Sequence, residues 1–122
     1  MISDTATPAH SDAATIVLKC VNAINAEDFD TARTCAADNM KFEGVLGSRD
    51  GAGAYFDDMR KMKLKYDVIR VFANADDVCL LYDLHMDGMV IFGCGWYHVT
   101  DGKIDSLKVL FDPRKVVEQK GQ

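Results

Sequence analysis

The stretch "GWYHVTDGKIDSLKVLFDP", residues 95–113, decides the fold because it holds two alternating strands joined by an Asp-Gly pair. Such a pair is typical of a two-residue hairpin turn, since glycine accepts the positive φ that the turn requires. A tight turn also fixes register, and register determines which side chains share a face. Counted outward from this turn, one face carries polar and apolar side chains together: Trp96, His98, Asp105, Leu107, Val109 and Phe111.

A second Asp-Gly pair, Asp87-Gly88, extends the pattern upstream into a meander with strands near 64–72, 77–86, 89–99 and 103–112. Counting across it adds further members to the same face: Cys79, Leu81, Asp83, His85, Val90, Phe92 and Cys94. The opposite face is also apolar: Leu80, Tyr82, Leu84, Met89, Ile91, Tyr97, Ile104 and Leu110. We expect the face with Trp96 to pack on helices and the other to be convex, because neither is polar enough for free solvation.

Three helices are predicted before the meander from apolar residues at helical spacing. The first covers 11–26, the second follows Asp28 as its cap, and the third lies within 47–62, after a short strand in "MKFEGVLG". This order predicts an α+β fold in which three N-terminal helices pack on a curved antiparallel sheet. Residues 1–12 are expected to be a flexible arm, and residues 13–122 a single domain.

Composition excludes several functional classes. The 122 residues are 48% hydrophobic and 27% charged, with a formal net charge of −5 and no basic stripe suited to nucleic acid. No apolar run approaches the roughly 20 residues of a membrane span, and no export signal is visible, so a cytoplasmic location is expected. The four cysteines lack metal-type spacing and are interpreted as buried apolar residues. We therefore expect no metal and no cofactor.

A family resemblance rests on "NAEDFDTARTCAADNMKFEG", "GSRDGAGAYF" and "WYHVTDGKIDSLKVLFDP", in this order and spacing. The chain resembles the nuclear-transport-factor-2-like superfamily, and within it the SnoaL-like group related to polyketide cyclases and ketosteroid isomerases. The resemblance implies a cone-shaped cystatin-like fold, with a mostly apolar cavity between the concave sheet and the helices. It does not imply one activity, because the superfamily includes isomerases, cyclases, dehydratases, epoxide hydrolases and inactive binding domains.

The catalytic pattern of the isomerases is not matched. Its tyrosine, its aspartate base and its protonated acid correspond to Cys20, Gly44 and approximately Trp96 in this chain. A ketosteroid isomerase mechanism is therefore not expected.

The candidate catalytic residues are His98, Asp83 and His85, because a histidine beside a carboxylate can act as a general base near neutral pH. Asp83 and His85 share a face two residues apart, and His98 has Asp105 across from it. Solvent-exposed or structural roles remain the alternatives for each. Asp112 ranks below the histidines, and Glu43 with Arg49 is more typical of a surface ion pair. The predicted cavity lining is Tyr55, Phe92, Trp96, Leu107, Val109 and Phe111.

The resulting hypothesis is a small-molecule-binding protein, either a cofactor-independent isomerase, cyclase or dehydratase, or a non-catalytic dimeric binding or scaffold domain. Its expected ligand is apolar or carbonyl-bearing. The convex face, with Gly93 and Gly95 allowing close approach, is expected to form a homodimer.

Overall fold

The computed structural model describes residues 11–120, so the predicted arm lies almost entirely outside the described residues. The helices are α1 (Ser11–Asn25), α2 (Phe29–Thr34), α3 (Ala52–Met62) and α4 (Arg114–Lys120). The strands are β1 (Ala36–Glu43), β2 (Ser48–Asp50), β3 (Lys65–Asn74), β4 (Asp77–Met86), β5 (Met89–Thr100) and β6 (Lys103–Phe111). The predicted α+β class is confirmed. The short β2 and the C-terminal α4 were not anticipated.

The helices form where the apolar spacing predicts them. In α1 the buried stripe runs through Val17, Val21 and Ile24. Asp28 caps α2 by accepting a hydrogen bond from the Thr31 amide at 3.2 Å, which satisfies one of the free amides of the first turn. The buried residues of α3 are the predicted ones: Ala52, Tyr55, Phe56 and Met59.

Three hydrogen bonds between side chains and the backbone attach the end of α1 to the start of β3. The Asn25 side chain accepts a hydrogen bond from the Tyr66 amide at 2.7 Å and donates one to the Tyr66 carbonyl at 2.9 Å. The ammonium of Lys65 donates to the Asn25 carbonyl at 2.8 Å. These bonds occupy polar groups at the helix end, which would otherwise lack partners.

The six strands form one curved, unclosed sheet in the order β2-β1-β6-β5-β4-β3. Both Asp-Gly pairs form the predicted turns, with φ of 51° and 78° at Asp87 and Gly88 and 51° and 77° at Asp101 and Gly102. All strand pairs are antiparallel except β1 with β6, which is parallel. The meander is thus confirmed, whereas the parallel pair departs from the expected all-antiparallel sheet.

The sheet has an inner face, which packs on the helices, and an outer face, which the helices do not cover. Residues of the inner face are buried, among them Leu80, Tyr82 and Tyr97. On the outer face, Phe92 is 59% exposed and Trp96 is 52% exposed. Our assignment of the faces was therefore wrong for β4 and β5: the face with Trp96 points away from the helices.

The physical reason is that both faces of these strands are apolar, so alternation alone does not reveal which one packs on the helices. The face expected to be convex, with Leu80, Tyr82, Leu84 and Ile91, is the buried one. Gly93 and Gly95 also lie on the inner face, not at a partner surface. Cys20 and Cys35 are buried as predicted, whereas Cys79 and Cys94 are half-buried on the outer face.

A β-bulge explains why β6 behaves differently from β4 and β5. Val99 pairs with Ile104, but His98 pairs with Ser106, so Asp105 is an extra residue without a partner position. The extra residue shifts the following side chains to the opposite face. Leu107 and Val109 therefore face the helices as predicted, while Leu110 is 66% exposed on the outer face.

Candidate functional site

The predicted site residues divide between the two faces of the sheet. Tyr55 is buried on α3, and Leu107, Val109 and Phe111 lie on the inner face of β6. Phe92, Trp96 and His98 lie on the outer face of β5, together with Asp83 and His85 of β4. The structure therefore does not bring Tyr55 together with Trp96 and His98, and the single cavity expected to hold all three is absent from the described residues.

His98 does form an oriented pair with a carboxylate, but the partner is Asp77 and not Asp105. Asp77 Oδ1 lies 2.9 Å from His98 Nδ1, and the same oxygen accepts a hydrogen bond from Trp96 Nε1 at 2.9 Å. Lys108 places its ammonium 5.6 Å from the centre of the Trp96 ring. The alternation pattern did not reveal this pair. Asp77 is the first residue of β4, and the residues we assigned to this face began at Cys79.

The hydrogen bond changes the acidity of both partners. It raises the pKa of His98, aided by the charge of Asp77 and opposed by partial desolvation. It also lowers the pKa of the Asp77 carboxyl, with the Trp96 indole as the second cause. Because Nδ1 faces Asp77, the other ring nitrogen of His98 remains available to accept or donate a proton. The catalytic roles of His98, Asp83 and His85 stay predictions.

The other polar candidates form separate contacts. His85 Nε2 lies 3.7 Å from Asp67 Oδ2, across the β3–β4 pair. Arg49 bonds Asp58 at 2.7 Å, while Glu43 lies 3.8 Å from Lys108, so Glu43 and Arg49 do not pair with each other. Asp112 is held by Arg114, whose guanidinium lowers the pKa of Asp112 to about 2. These contacts are exposed, and each contributes little to stability.

Asp105 at the bulge has one satisfied and one unsatisfied oxygen. Its Oδ2 accepts a hydrogen bond from the Thr100 hydroxyl at 2.7 Å. Its Oδ1 is buried and has no partner among the described residues. Asp105 therefore acts on His98 only through its charge, which favours the protonated imidazole.

A cluster of tyrosines inside the fold is the feature that our sequence analysis missed. All four tyrosines of the chain are buried between sheet and helices, with exposures of 8% or less: Tyr55, Tyr66, Tyr82 and Tyr97. The Tyr66 and Tyr82 rings meet edge to face at 4.9 Å, and Tyr55 lies 5.1 Å from the Phe42 ring. A correct assignment of the sheet faces would have placed Tyr82 and Tyr97 against the helices and so predicted the cluster.

Burial keeps these phenols protonated. It raises the pKa of Tyr66 to about 12, and it raises the pKa values of Tyr55, Tyr82 and Tyr97 well above their usual range. The neighbouring Cys20 thiol has a pKa raised to about 12 by burial, with Cys35 as a secondary cause. Each tyrosine is therefore a neutral hydrogen-bond donor at physiological pH. No charged side chain is buried in the part of the chain that the structure describes.

An apolar groove of about 550 Å³ lies beside α4, and residues of both faces of the sheet line it, with Ile91, Gly93 and Phe111 from the inner face. It is lined by residues of β4, β5, β6 and α4, including Leu81, Phe92, Cys94, Leu110 and Lys115. Among residues 11–120 no group of three or more metal-ligating side chains is present. Over the same range, no helix is long and apolar enough to cross a membrane.

Fold and site together define a class: a cone-like α+β protein with a sheet wrapped on helices around an aromatic interior. The SnoaL-like domain model matches residues 17–107, so the chain belongs to the SnoaL-like domain family. A search of curated proteins finds no match.

Solved structures support the same fold. A nuclear-transport-factor-2-like protein of unknown function from Cytophaga hutchinsonii is 39% identical, with a TM-score of 0.84 and coverage of 95% of this chain and 98% of that one. A candidate ketosteroid isomerase from Kribbella flavida is 13% identical, with a TM-score of 0.78 and coverages of 84% and 78%. A LEH-like epoxide hydrolase from M. tuberculosis is 22% identical, with a TM-score of 0.75 and coverages of 92% and 98%.

Proposed function

We propose that this protein binds a small apolar molecule that carries a hydrogen-bond acceptor, such as a ketone, between the inner face of the sheet and the helices. The observation that supports the proposal most strongly is the buried cluster of four tyrosines. A buried phenol combines a large apolar ring with one hydroxyl that can donate a hydrogen bond to a ligand. Four such groups around one interior suit a ligand that is mostly hydrocarbon and accepts hydrogen bonds.

The electrostatics of the interior limit the chemistry of the ligand. The tyrosine hydroxyls are protonated, and no whole Asp or Glu side chain is buried in residues 11–120, where Asp105 has only one buried carboxylate oxygen. Burying an unpaired cation there would be costly. The proposed ligand is therefore neutral.

Matched ligands and variants test the proposal. In a thermal-shift assay with 2-acetonaphthone and 2-isopropylnaphthalene, only the ketone offers an acceptor, so we expect it to stabilise the protein more. At a ligand concentration of 100 Kd, stabilisation should reach about 2.7 kcal/mol. Tyr55→Phe and Tyr97→Phe should each remove about 0.5–1.5 kcal/mol of the ketone's binding, the net value of one hydrogen bond.

His98→Ala is the control for the location of the site, because His98 lies on the outer face. It should leave ketone binding unchanged. Loss of binding in this variant, or equal binding of the two naphthalenes by the unmodified protein, would refute the inner site.

A catalytic version of the proposal, a cofactor-independent isomerase, cyclase or dehydratase, requires a base that reaches the ligand. The His98–Asp77 contact leaves one imidazole nitrogen free on the outer face, so this base would act on a ligand bound at the outer face and not on one in the interior. Were such an activity found, His98→Ala should lower turnover by about a hundredfold or more. An unchanged rate would exclude His98 as the base.

We also propose that the protein is a homodimer formed through the outer face. The supporting feature is an outer apolar patch whose members are 46–66% exposed: Phe72, Val90, Phe92, Trp96 and Leu110. Monomers rarely expose contiguous apolar patches of this kind. A two-fold axis lets one such patch cover another.

Charge balance favours a second copy as the occupant. By strand pairing, the outer face carries as many carboxylates as Lys and Arg side chains: Glu43, Asp50, Asp67, Asp77 and Asp83 against Lys41, Lys65, Arg70, Lys103 and Lys108. The chain as a whole has a formal net charge of −5. Two copies therefore meet with the least repulsion through this face.

A further inference from the structure

Two cysteines lie next to each other on the outer face of the sheet. Cys79 of β4 pairs with Trp96, and Cys94 of β5 pairs with Leu81, so the cysteines are diagonal neighbours on adjacent strands. Both are free thiols and both are half-buried. Both side chains project from the same face, because Cys79 and Cys94 each lie opposite an outer-face residue of the adjacent strand.

The diagonal arrangement does not suit a disulfide. Diagonal neighbours in an antiparallel sheet have Cα atoms roughly 7–8 Å apart. A disulfide seldom spans more than about 6.8 Å between Cα atoms without movement of the backbone. A metal ion between the two sulfurs can join cysteines that are farther apart than a disulfide allows, because two metal–sulfur bonds of about 2.3 Å each replace one sulfur–sulfur bond.

We propose that the Cys79–Cys94 pair binds one soft, closed-shell metal ion, Cu(I), through two thiolates. Thiolates select soft ions such as Cu(I). No third metal-ligating side chain joins the pair in the described part of the chain, which disfavours Zn(II) because that ion requires four ligands. Cu(I) is satisfied by two.

The surroundings of the pair suit a two-coordinate ion. Across the strands, Cys79 faces Phe72 and Trp96, and Cys94 faces Leu81 and Leu110. None of these side chains offers a carboxylate or imidazole to a harder ion. The site lies within one chain, so it predicts one ion per chain in a monomer or a dimer, and it does not depend on the ligand proposed for the interior.

Binding exchanges protons for the ion without a change of oxidation state. Each thiol loses one proton, two sulfur–copper bonds form, and the resulting bis-thiolate complex of Cu(I) carries one negative charge. Affinity should therefore increase as the pH rises.

The test is an anaerobic titration of the full chain with Cu(I) in competition with bicinchoninate. We expect one tightly bound ion per chain. Cys79→Ser and Cys94→Ser should each weaken binding by at least about a hundredfold, since even outer-shell changes cost 10–100-fold in metal sites. Cys35→Ser is the matched control, because Cys35 is 5% exposed in the core, and it should keep the ion.

Two results would overturn the proposal. One is Cu(I) binding that survives both Cys79→Ser and Cys94→Ser in proteins whose circular dichroism shows a native fold. The other is Cu(I) binding that Cys35→Ser weakens as much as Cys79→Ser does, because the ion would then not depend on the outer-face pair.

Discussion

At the scale of single residues, one carboxylate oxygen holds three parts of the outer face together. Oδ1 of Asp77, at the start of β4, contacts both the His98 imidazole and the Trp96 indole of β5. Its position fixes the orientation of the imidazole and supplies a partner for the indole N–H. The turn between β3 and β4 is therefore tied to the neighbouring strand by side chains as well as by backbone.

The pair also makes stability depend on pH. The pKa of His98 is raised on folding, so its contribution is complete below about pH 6.5 and is lost as the pH rises through the folded pKa. The pKa of Asp77 is lowered, so its contribution is complete above about pH 3.9 and is lost as the pH falls through the folded pKa. Stabilisation by the pair is therefore greatest between these two values.

Asp77→Asn is predicted to lower the pKa of His98 towards its ordinary value, because an amide keeps the hydrogen bond but not the charge. The measurement is a pH titration of the imidazole resonances by NMR. His85, which lies near Asp67 instead, serves as the control within the same spectrum. An identical His98 titration in both proteins would show that Asp77 does not set its acidity.

At the scale of elements, the sequence predicts well which helices, strands and turns exist and in which order, because turn chemistry and periodicity are local. The Asp-Gly turns, the capping of α2 by Asp28 and the buried face of α3 all follow from neighbouring residues. The orientation of β4 and β5 does not follow from neighbouring residues. Helices distant in sequence determine which of the two apolar faces is covered. The bulge at Asp105 shows no glycine or proline signal, so it was unpredictable from alternation.

The candidate site was less predictable than the fold for the same reason. We predicted Asp105 as the carboxylate partner of His98, whereas the partner is Asp77 of the adjacent strand β4. The tyrosines come from α3, β3, β4 and β5, and only the tertiary fold brings them together.

Gly93→Ala is predicted to destabilise the protein by about 1–3 kcal/mol, as expected for overpacking. An added Cβ would lie 2.9 Å from the Leu110 carbonyl oxygen and 3.2 Å from Phe111 Cβ, neither of which can move freely. The measurement is urea denaturation. Gly53→Ala in α3 is the control, because nothing lies within 4 Å of its added Cβ, and it should stabilise by about 0.5–1 kcal/mol. Equal effects of the two substitutions would contradict the close packing of β5 on β6.

At the scale of the whole molecule, the two faces of the sheet have different roles. The inner face and the helices form one continuous core around the tyrosines. The outer face exposes the outer apolar patch, and the proposed dimer would cover it. A charge at Ile91 would not test the dimer. Ile91 is 4% exposed on the inner face, so a charge there would disrupt the core.

Phe92→Asp is predicted to dissociate the homodimer, because each carboxylate would be buried against the partner without a counter-charge. We expect the dissociation constant to rise at least about a hundredfold, which corresponds to about 2.8 kcal/mol. Sedimentation equilibrium at micromolar concentration measures it. Leu46→Asp is the control, because Leu46 is 55% exposed in the loop between β1 and β2. A monomeric unmodified protein would rule out the dimer.

The parallel pairing of β1 with β6 has a consequence for how the protein is made on the ribosome. β1 is synthesised well before its partner, since Ala36 pairs with Ile104. A nascent chain that ends before β6 leaves β1 with an open edge. Such an edge is prone to aggregate. Premature termination anywhere before β6 should therefore yield an insoluble fragment, because the edge of β1 is closed only once β6 has been synthesised.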